Sequence, residues 1–123
     1  MRSAILLLLA LPAVAGEPAR PPRDGDALRA FYADNCVRCH GADGSALGPD
    51  GQRLKGADFT DLKAMEREKD ASLAKTILKG TFFGLGMPSF KDQVSEEEAL
   101  RMVREVVRKA EKGKTIGSRP AAK

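Results

Sequence analysis

Leu28, Phe31, Tyr32 and Asn35 recur at i, i+3, i+4 and i+7, the spacing of one helix face. Asp26 precedes them as a candidate N-cap, and the pattern predicts a helix from about Asp26 to Cys36. A second stripe, Leu73, Ala74, Ile77 and Leu78, follows Ser72 as its cap and stops at Gly80, the C′ position. The third stripe is Ala99, Met102, Val103 and Val106. It follows Ser95 and Glu98, a capping box, and Glu96 and Glu97 suit the positive end of the helix dipole. This last helix is predicted to reach about Ala110. Asp61 to Asp70 could form a short, mostly exposed helix. The stretch from Gly41 to Gly56 holds five glycines, both ends included, and Pro49, which predict a long loop without secondary structure of its own. Such a loop is uncommon in a compact domain unless it is functional. Strand patterns are nearly absent, so the predicted class is all-α.

The two ends differ from this folded middle. Arg2, the apolar run Ala4–Leu11, Pro12 and the small-x-small site Ala13-Val14-Ala15 have the form of a secretory signal peptide over residues 1–15. The run is too short to span a membrane, and no later segment approaches the ~20 apolar residues a span needs. A retained N-terminal anchor is the competing reading. Residues 16–25, with three prolines, read as a flexible leader, and residues 26–111 as the folded domain. Residues 112–123 read as a basic tail without order.

Composition sharpens the picture. The chain has 123 residues, enough for one domain, and 42% hydrophobic residues, an ordinary share for a folded protein. Its aromatic supply is thin, with five Phe, one Tyr and no Trp, so something besides side chains is expected to help fill the core. The net charge of +4 favours acidic partners but is too diffuse to imply nucleic acid. Two cysteines and one histidine exclude a multi-bridge disulfide scaffold and a conventional four-ligand zinc finger.

Both cysteines and the histidine fall in Cys36-Val37-Arg38-Cys39-His40. C-x-x-C-H is the attachment motif of c-type haem. Two cysteines three apart at a helix end project to one side, where both thiols can add across the vinyl groups of one porphyrin. The next residue places an imidazole beneath the iron. Three rivals remain. A thioredoxin-like C-x-x-C needs a βαβ context that the sequence does not show. A zinc or copper site would lack a fourth Cys or His ligand. A structural disulfide would close a very small loop and leave His40 unexplained.

At these residues the chain resembles the class I cytochrome c family. The likeness is carried by CVRCHG at Cys36–Gly41, by GADGSALGP followed by ADFTD, and by Gly86-Met87-Pro88-Ser89-Phe90. It spans about Asp26 to Ala110. The resemblance implies a cytochrome c-like fold of three to five helices wrapped around one covalently bound haem c. It implies His40 as proximal and Met87 as distal axial ligand, with the Pro49 carbonyl accepting a hydrogen bond from the other nitrogen of His40. Leu28 stands where many members have a helix-crossing glycine, and Glu105 where an aromatic is common. Val103 or Val106 is then expected to make the contact between first and last helices.

The methionines also separate on sequence alone. Met1 leaves with the signal peptide, Met102 lies on an apolar helix face, and Met65 sits in a charged run expected to face solvent or the rim. Met87 alone sits in a Gly-rich, Pro-terminated loop. A covalent porphyrin would supply the missing core, with Phe59, Phe82, Phe83, Leu85 and Phe90 as candidates to wall it. Two strong axial ligands leave no open position, so the expected function is electron transfer, not catalysis. The sequence therefore reads as a monomeric monohaem carrier exchanging electrons with partner proteins in the bacterial periplasm. Alternatives are a haem enzyme or ligand sensor with an open distal site, and a dedicated electron-accepting subunit of a dehydrogenase or oxidase complex. Lys55, Lys63, Lys75, Lys79 and Lys91 come from segments expected to surround the haem, where they would steer the chain towards acidic docking surfaces.

Overall fold

A computed structural model describes residues 20–117. The expected signal peptide, the first residues of the leader and the end of the tail lie outside these residues. Five α-helices run in order: α1 (Gly25–Asn35), α2 (Val37–His40), α3 (Leu62–Met65), α4 (Asp70–Lys79) and α5 (Glu96–Glu105). Two short 3-10 turns occupy Phe82–Gly84 and Val107–Lys109. Among the described residues the one β-type pairing is an isolated bridge between Leu47 and Arg53. The all-α expectation holds.

The caps explain where the helices begin. Asp24, not Asp26, caps α1, because it has the extended backbone that lets its carboxylate accept the Ala27 N–H at 2.8 Å. Asp26 falls in the first turn, where it pairs with Arg29. α4 starts at Asp70, two residues before Ser72, although Lys69 makes no side-chain cap. Asp70 is held there by Arg104 and Arg108, at 3.0 and 2.5 Å, so a tertiary contact overrides the local cap signal. The helix expected over Asp61–Asp70 shrinks to the single turn of α3. Beyond it, Arg108 donates to the carbonyls of Met65 and Glu68, giving them partners without a helix.

The capping box of α5 is complete: Ser95 Oγ accepts the Glu98 N–H at 3.1 Å and Glu98 Oε1 accepts the Ser95 N–H at 3.0 Å. Regular helix ends earlier than expected, at Glu105, and a 3-10 turn carries the chain on to Ala110.

α5 is the centre of the packing. Leu28 and Tyr32 of α1 share one buried cluster with Met102 and Val106, so Val106 supplies the contact at the crossing of first and last helices. Val103 and Ala99 share a second cluster with Ala74 of α4. Phe31, Leu73 and Ile77 pack against both clusters and join them.

Both flanking segments are more tied down than expected. Arg23, placed in the leader, donates its N–H to Glu98 at 3.0 Å and stacks its guanidinium over Phe31. Arg101 in turn donates to the Arg23 carbonyl at 2.6 Å. Residues 112–117, assigned to the unordered tail, close the other end of the core. Ile116 is buried and its N–H donates to the Ala42 carbonyl at 2.7 Å. Gly113 donates its N–H to Asp43 at 2.7 Å. Burial opposes the Asp43 charge, but the N–H groups of Gly113 and Ser45 and the Ser45 hydroxyl outweigh it and hold the carboxyl at about 2.

Glu98 joins the α5 cap to the leader, and its carboxylate is almost fully enclosed. Burial raises its pKa, but the N–H groups of Ser95 and Arg23 and the charges of Arg23 and Arg20 outweigh that and leave it below the ordinary value. A depressed carboxyl stabilises the fold fully above the unfolded pKa of 4.5 and loses that contribution as pH falls through the lower folded value. Glu98→Gln is expected to cost about 1–3 kcal/mol at neutral pH, and to flatten the acid limb of a denaturation-against-pH series.

Candidate functional site

The chain passes from α1 to α2 through Cys36, whose N–H donates to Tyr32 O at 2.8 Å and whose carbonyl accepts from His40 at 2.9 Å. One continuous backbone path thus sets Cys36, Cys39 and His40. Gly41, at φ 81°, ends it; a Cβ there would come within 2.9 Å of the Leu47 carbonyl. Tyr32 closes the turn from inside, donating its buried hydroxyl to the Gly41 carbonyl at 2.8 Å.

Both thiols are free and half-buried. Burial, aided by neighbouring Cys39, pushes the Cys36 thiol up to about 12. That is the opposite of the acidic thiol a redox C-x-x-C needs. Among the described residues no group of three His, Cys, Asp or Glu side chains could hold a metal ion. The thioredoxin and zinc or copper rivals therefore find no support.

His40 is buried, and its Nδ1 lies 3.0 Å from the carbonyl of Ala57. A carbonyl only accepts, so Nδ1 carries the hydrogen and Nε2 keeps its lone pair. Burial lowers the pKa of the ring, against the pull of the Ala57 bond, and favours the neutral imidazole. Phe59 stacks on the ring at 4.4 Å.

The Ala57 contact corrects the expectation for Pro49. Pro49 is exposed in the outer part of the 41–56 loop, which folds back through the Gly48 N–H to Gln52 carbonyl bond of 2.8 Å. The returning chain reaches the histidine at Gly56, whose N–H donates to Cys39 O at 2.7 Å. A Cβ on Gly56 would collide with the Cys39 backbone and sit 2.6 Å from His40 Nδ1. Only glycine lets this segment lie so close, and it brings the next carbonyl, that of Ala57, onto the ring.

Cys36, His40, Phe59, Met87, Phe90 and Met102 line a common cavity between the helices, with almost wholly apolar walls. Met87 is half-buried, and its loop is closed on both sides by Thr81. Thr81 Oγ1 accepts the Met87 N–H at 2.8 Å, and the Thr81 N–H donates to the Met87 carbonyl at 3.0 Å. Gly80, at φ 70°, permits this approach, since a Cβ there would strike the Met87 carbonyl. The sequence reading did not single out Thr81.

Two other expectations are corrected. Met65 is buried in the core among Leu28, Tyr32 and Val107, not turned to solvent. Phe82, Phe83 and Leu85 do not wall the cavity; they point to solvent, at 80%, full and 90% exposure. Phe59 and Phe90 do line it.

Comparison with known proteins gives this arrangement a family. A profile described as "Cytochrome C oxidase, cbb3-type, subunit III" matches residues 23–104, from the docked Arg23 into the last turn of α5. The chain belongs to this cytochrome c family. Two solved structures are similar to it. The "KustC0563 c-type cytochrome" is 28% identical with a TM-score of 0.52, covering 70% of this chain and 95% of its own. A point mutant of Kustc0563 is 26% identical with a TM-score of 0.53, covering 72% of this chain and 100% of its own. Nothing among curated proteins matches. The chain is thus a small c-type cytochrome, and the family implies covalently bound haem c. The residues present fit such a group. They offer two free thiols, a neutral imidazole held by a carbonyl, and an apolar cavity reached by Cys36, His40 and Met87.

Two substitutions test this cytochrome's architecture. Gly56→Ala is expected to destabilise the fold by about 1–3 kcal/mol, because backbone must move to admit the methyl. The same substitution should shift the reduction potential of the holoprotein, since the Ala57 carbonyl leaves His40. Tyr32→Phe leaves the buried Gly41 carbonyl with only the longer, 3.3 Å bond from the Gly44 N–H, and is expected to cost about 1–2 kcal/mol in chemical denaturation.

Proposed function

We propose that this c-type cytochrome is a periplasmic single-electron carrier, not an enzyme, with Cys36 and Cys39 attaching the haem and His40 and Met87 as its axial ligands. The observation that carries the reading is that His40 and Met87, on segments 47 residues apart, line the same apolar cavity as Cys36. When bound, the haem supplies a one-electron ferrous/ferric couple.

The chain's own residues do the rest. Ala57 keeps the His40 proton on Nδ1 and leaves Nε2 as donor to a metal. Thr81 holds the Met87 backbone from both sides, which limits how far the thioether can swing away. The apolar walls exclude water, and a low-dielectric surround with a thioether ligand favours a raised potential. Two protein ligands leave no place for oxygen or peroxide, which argues against an oxygen-activating enzyme or gas sensor. Export is supported by the N-terminal apolar run with its Ala13-Val14-Ala15 site, and among the described residues no helix is long and apolar enough to cross a membrane.

A second reading has one specific observation behind it. The matching family is described as an oxidase subunit, so this chain could serve as the electron-accepting subunit of such a complex. Co-purification with a membrane oxidase would favour it; a chain recovered alone, with a conventional exchange rate, favours the free carrier.

Met87→Ala is expected to abolish the sulfur-to-iron charge-transfer band of the oxidised protein, lower its potential and admit carbon monoxide to the reduced form. Thr81→Val should weaken the band and speed ligand entry without abolishing it. An unchanged band in Met87→Ala, with loss in Met102→Ala instead, would overturn the assignment. Cys36→Ser combined with Cys39→Ser should leave no haem on the chain after denaturing electrophoresis.

A further inference from the structure

Beyond residue 104, where the family match stops, the chain is still part of the fold. After the turn at Val107–Lys109 it lies over the loop that follows α2. The Gly113 N–H donates to the Asp43 carboxylate and the Ile116 N–H to the Ala42 carbonyl, each at 2.7 Å. Ala110 and Ile116 are buried in the cluster that holds Leu28 and Tyr32. The last described residue, Gly117, lies against α1, where a Cβ would come 3.1 Å from the Arg29 carbonyl. Residues 110–117 are thus a strap, fixed to the loop by hydrogen bonds and to the first helix by packing.

A path of contacts leads from this strap to the histidine. Gly44 lies beneath it: a Cβ there would come 2.9 Å from Ala110 Cβ, and 3.5 Å from both Ile116 Cδ1 and Phe59 Cβ. The strap and Phe59 therefore converge on one point of the loop. Backbone bonds tie that point to the ligand. The Gly44 carbonyl accepts the Phe59 N–H at 2.7 Å, and the Ala46 N–H donates to the His40 carbonyl at 2.7 Å. The Phe59 ring lies on the His40 ring, with centroids 4.4 Å apart and planes 18° from parallel. Phe59 belongs to no helix, since α3 begins only at Leu62, so no helical ladder fixes its place. Its position is set by the Gly44 bond and by the cluster it packs against, which includes Ala110 and Ile116.

We infer that residues 110–117 are a positioning strap for the axial histidine, acting through Ile116, Gly44 and Phe59. The inference rests on the reading of His40 as an axial ligand and deepens it. With the strap closed, Phe59 stays on the imidazole and keeps water from the side of the ring away from the cavity. With it loosened, water reaches the ligand. The apolar shell around a metal ligand controls solvent access and thereby the reduction potential. Water favours the ferric form, which carries the extra positive charge, so loosening lowers the potential. Ile116 is a positioning residue in this scheme and touches neither iron nor ligand.

Ile116→Ala removes most of the strap's buried side chain in the holoprotein. Redox equilibrium against a small iron-chelate couple is the measurement, with the sulfur-to-iron band and the hyperfine-shifted His40 ring resonances recorded alongside. The equilibrium should move at least fivefold towards the ferric form and the His40 resonances should shift, while the band on the Met87 side is retained. Ile116→Val, which keeps most of the contact, should show the same change at a smaller size. It carries the test alone where the alanine variant holds no haem. Phe59→Leu should reproduce the full effect, and adding Ile116→Ala to it should change the equilibrium less than twofold further, because the two act on one path. Leu100→Ala removes packing from the other cluster, away from the strap, and should leave the equilibrium within twofold of the parent. A parent-like equilibrium in both Ile116 variants, or in Phe59→Leu, would overturn the proposal. So would fully additive shifts in the double variant, or an equal shift in Leu100→Ala, which would reduce the effect to general loosening. A ferric parent without hyperfine-shifted His40 resonances would overturn the ligand reading beneath it.

Discussion

The hydrogen bond between His40 Nδ1 and the Ala57 carbonyl is the constraint on which the site is built. It can form only because Gly56 has no side chain, so that its N–H can reach Cys39 O while the next residue comes against the imidazole. Once formed, it decides the tautomer of the ring and the nitrogen left for a metal. It also sets where the long loop must return, and so where Phe59 stacks on the histidine. The glycine-rich stretch from Gly41 to Gly56 is long because it must leave the end of α2 and come back to the same point.

The helices serve that arrangement by enclosing it. α5 carries two apolar faces, one meeting α1 and the other α4, and the cavity lies where the three come together. Arginines on and after α5 fix the outer elements to it. Arg101 holds the leader at Arg23, Arg104 holds Asp70, and Arg108 holds Asp70 and the carbonyls of Met65 and Glu68. A chain with few aromatics thus obtains a closed frame from charge-assisted hydrogen bonds at its rim, and leaves apolar space inside for a prosthetic group.

The two ligand candidates are supported by different means. His40 is held by its ring, through Ala57 and Phe59. Met87 is held by its backbone, through Thr81 and the close approach that Gly80 permits. A long thioether needs no ring partner, but its Cα must be anchored if the sulfur is to stay within reach of the cavity. The same anchoring stiffens the loop before it, which is why Phe82 and Phe83 can be kept in solvent at strained φ angles without collapsing onto the core.

Features whose physics is local were legible in the sequence. The spacing of Cys36, Cys39 and His40, the reciprocal Ser95–Glu98 cap and the stop at Gly80 each depend on residues within about one helical turn, where backbone geometry fixes who meets whom. The helical class followed from the same local periods. What the sequence left undecided involves partners far apart along the chain. Ala57 reaches His40 across 17 residues, Arg108 reaches Met65 across 43, and Gly113 reaches Asp43 across 70. The family resemblance implied Pro49 at this bond, but a loop's return point is set by where its backbone finds donors, and no spacing rule encodes that. Ser72 yielded to Asp70 for a similar reason, since two arginines from beyond the helix outweigh one local cap. Burial of Met65 and Ile116 in charged stretches, and exposure of Phe82 and Phe83 in an apolar one, were likewise decided by which surfaces the assembled helices had left to cover.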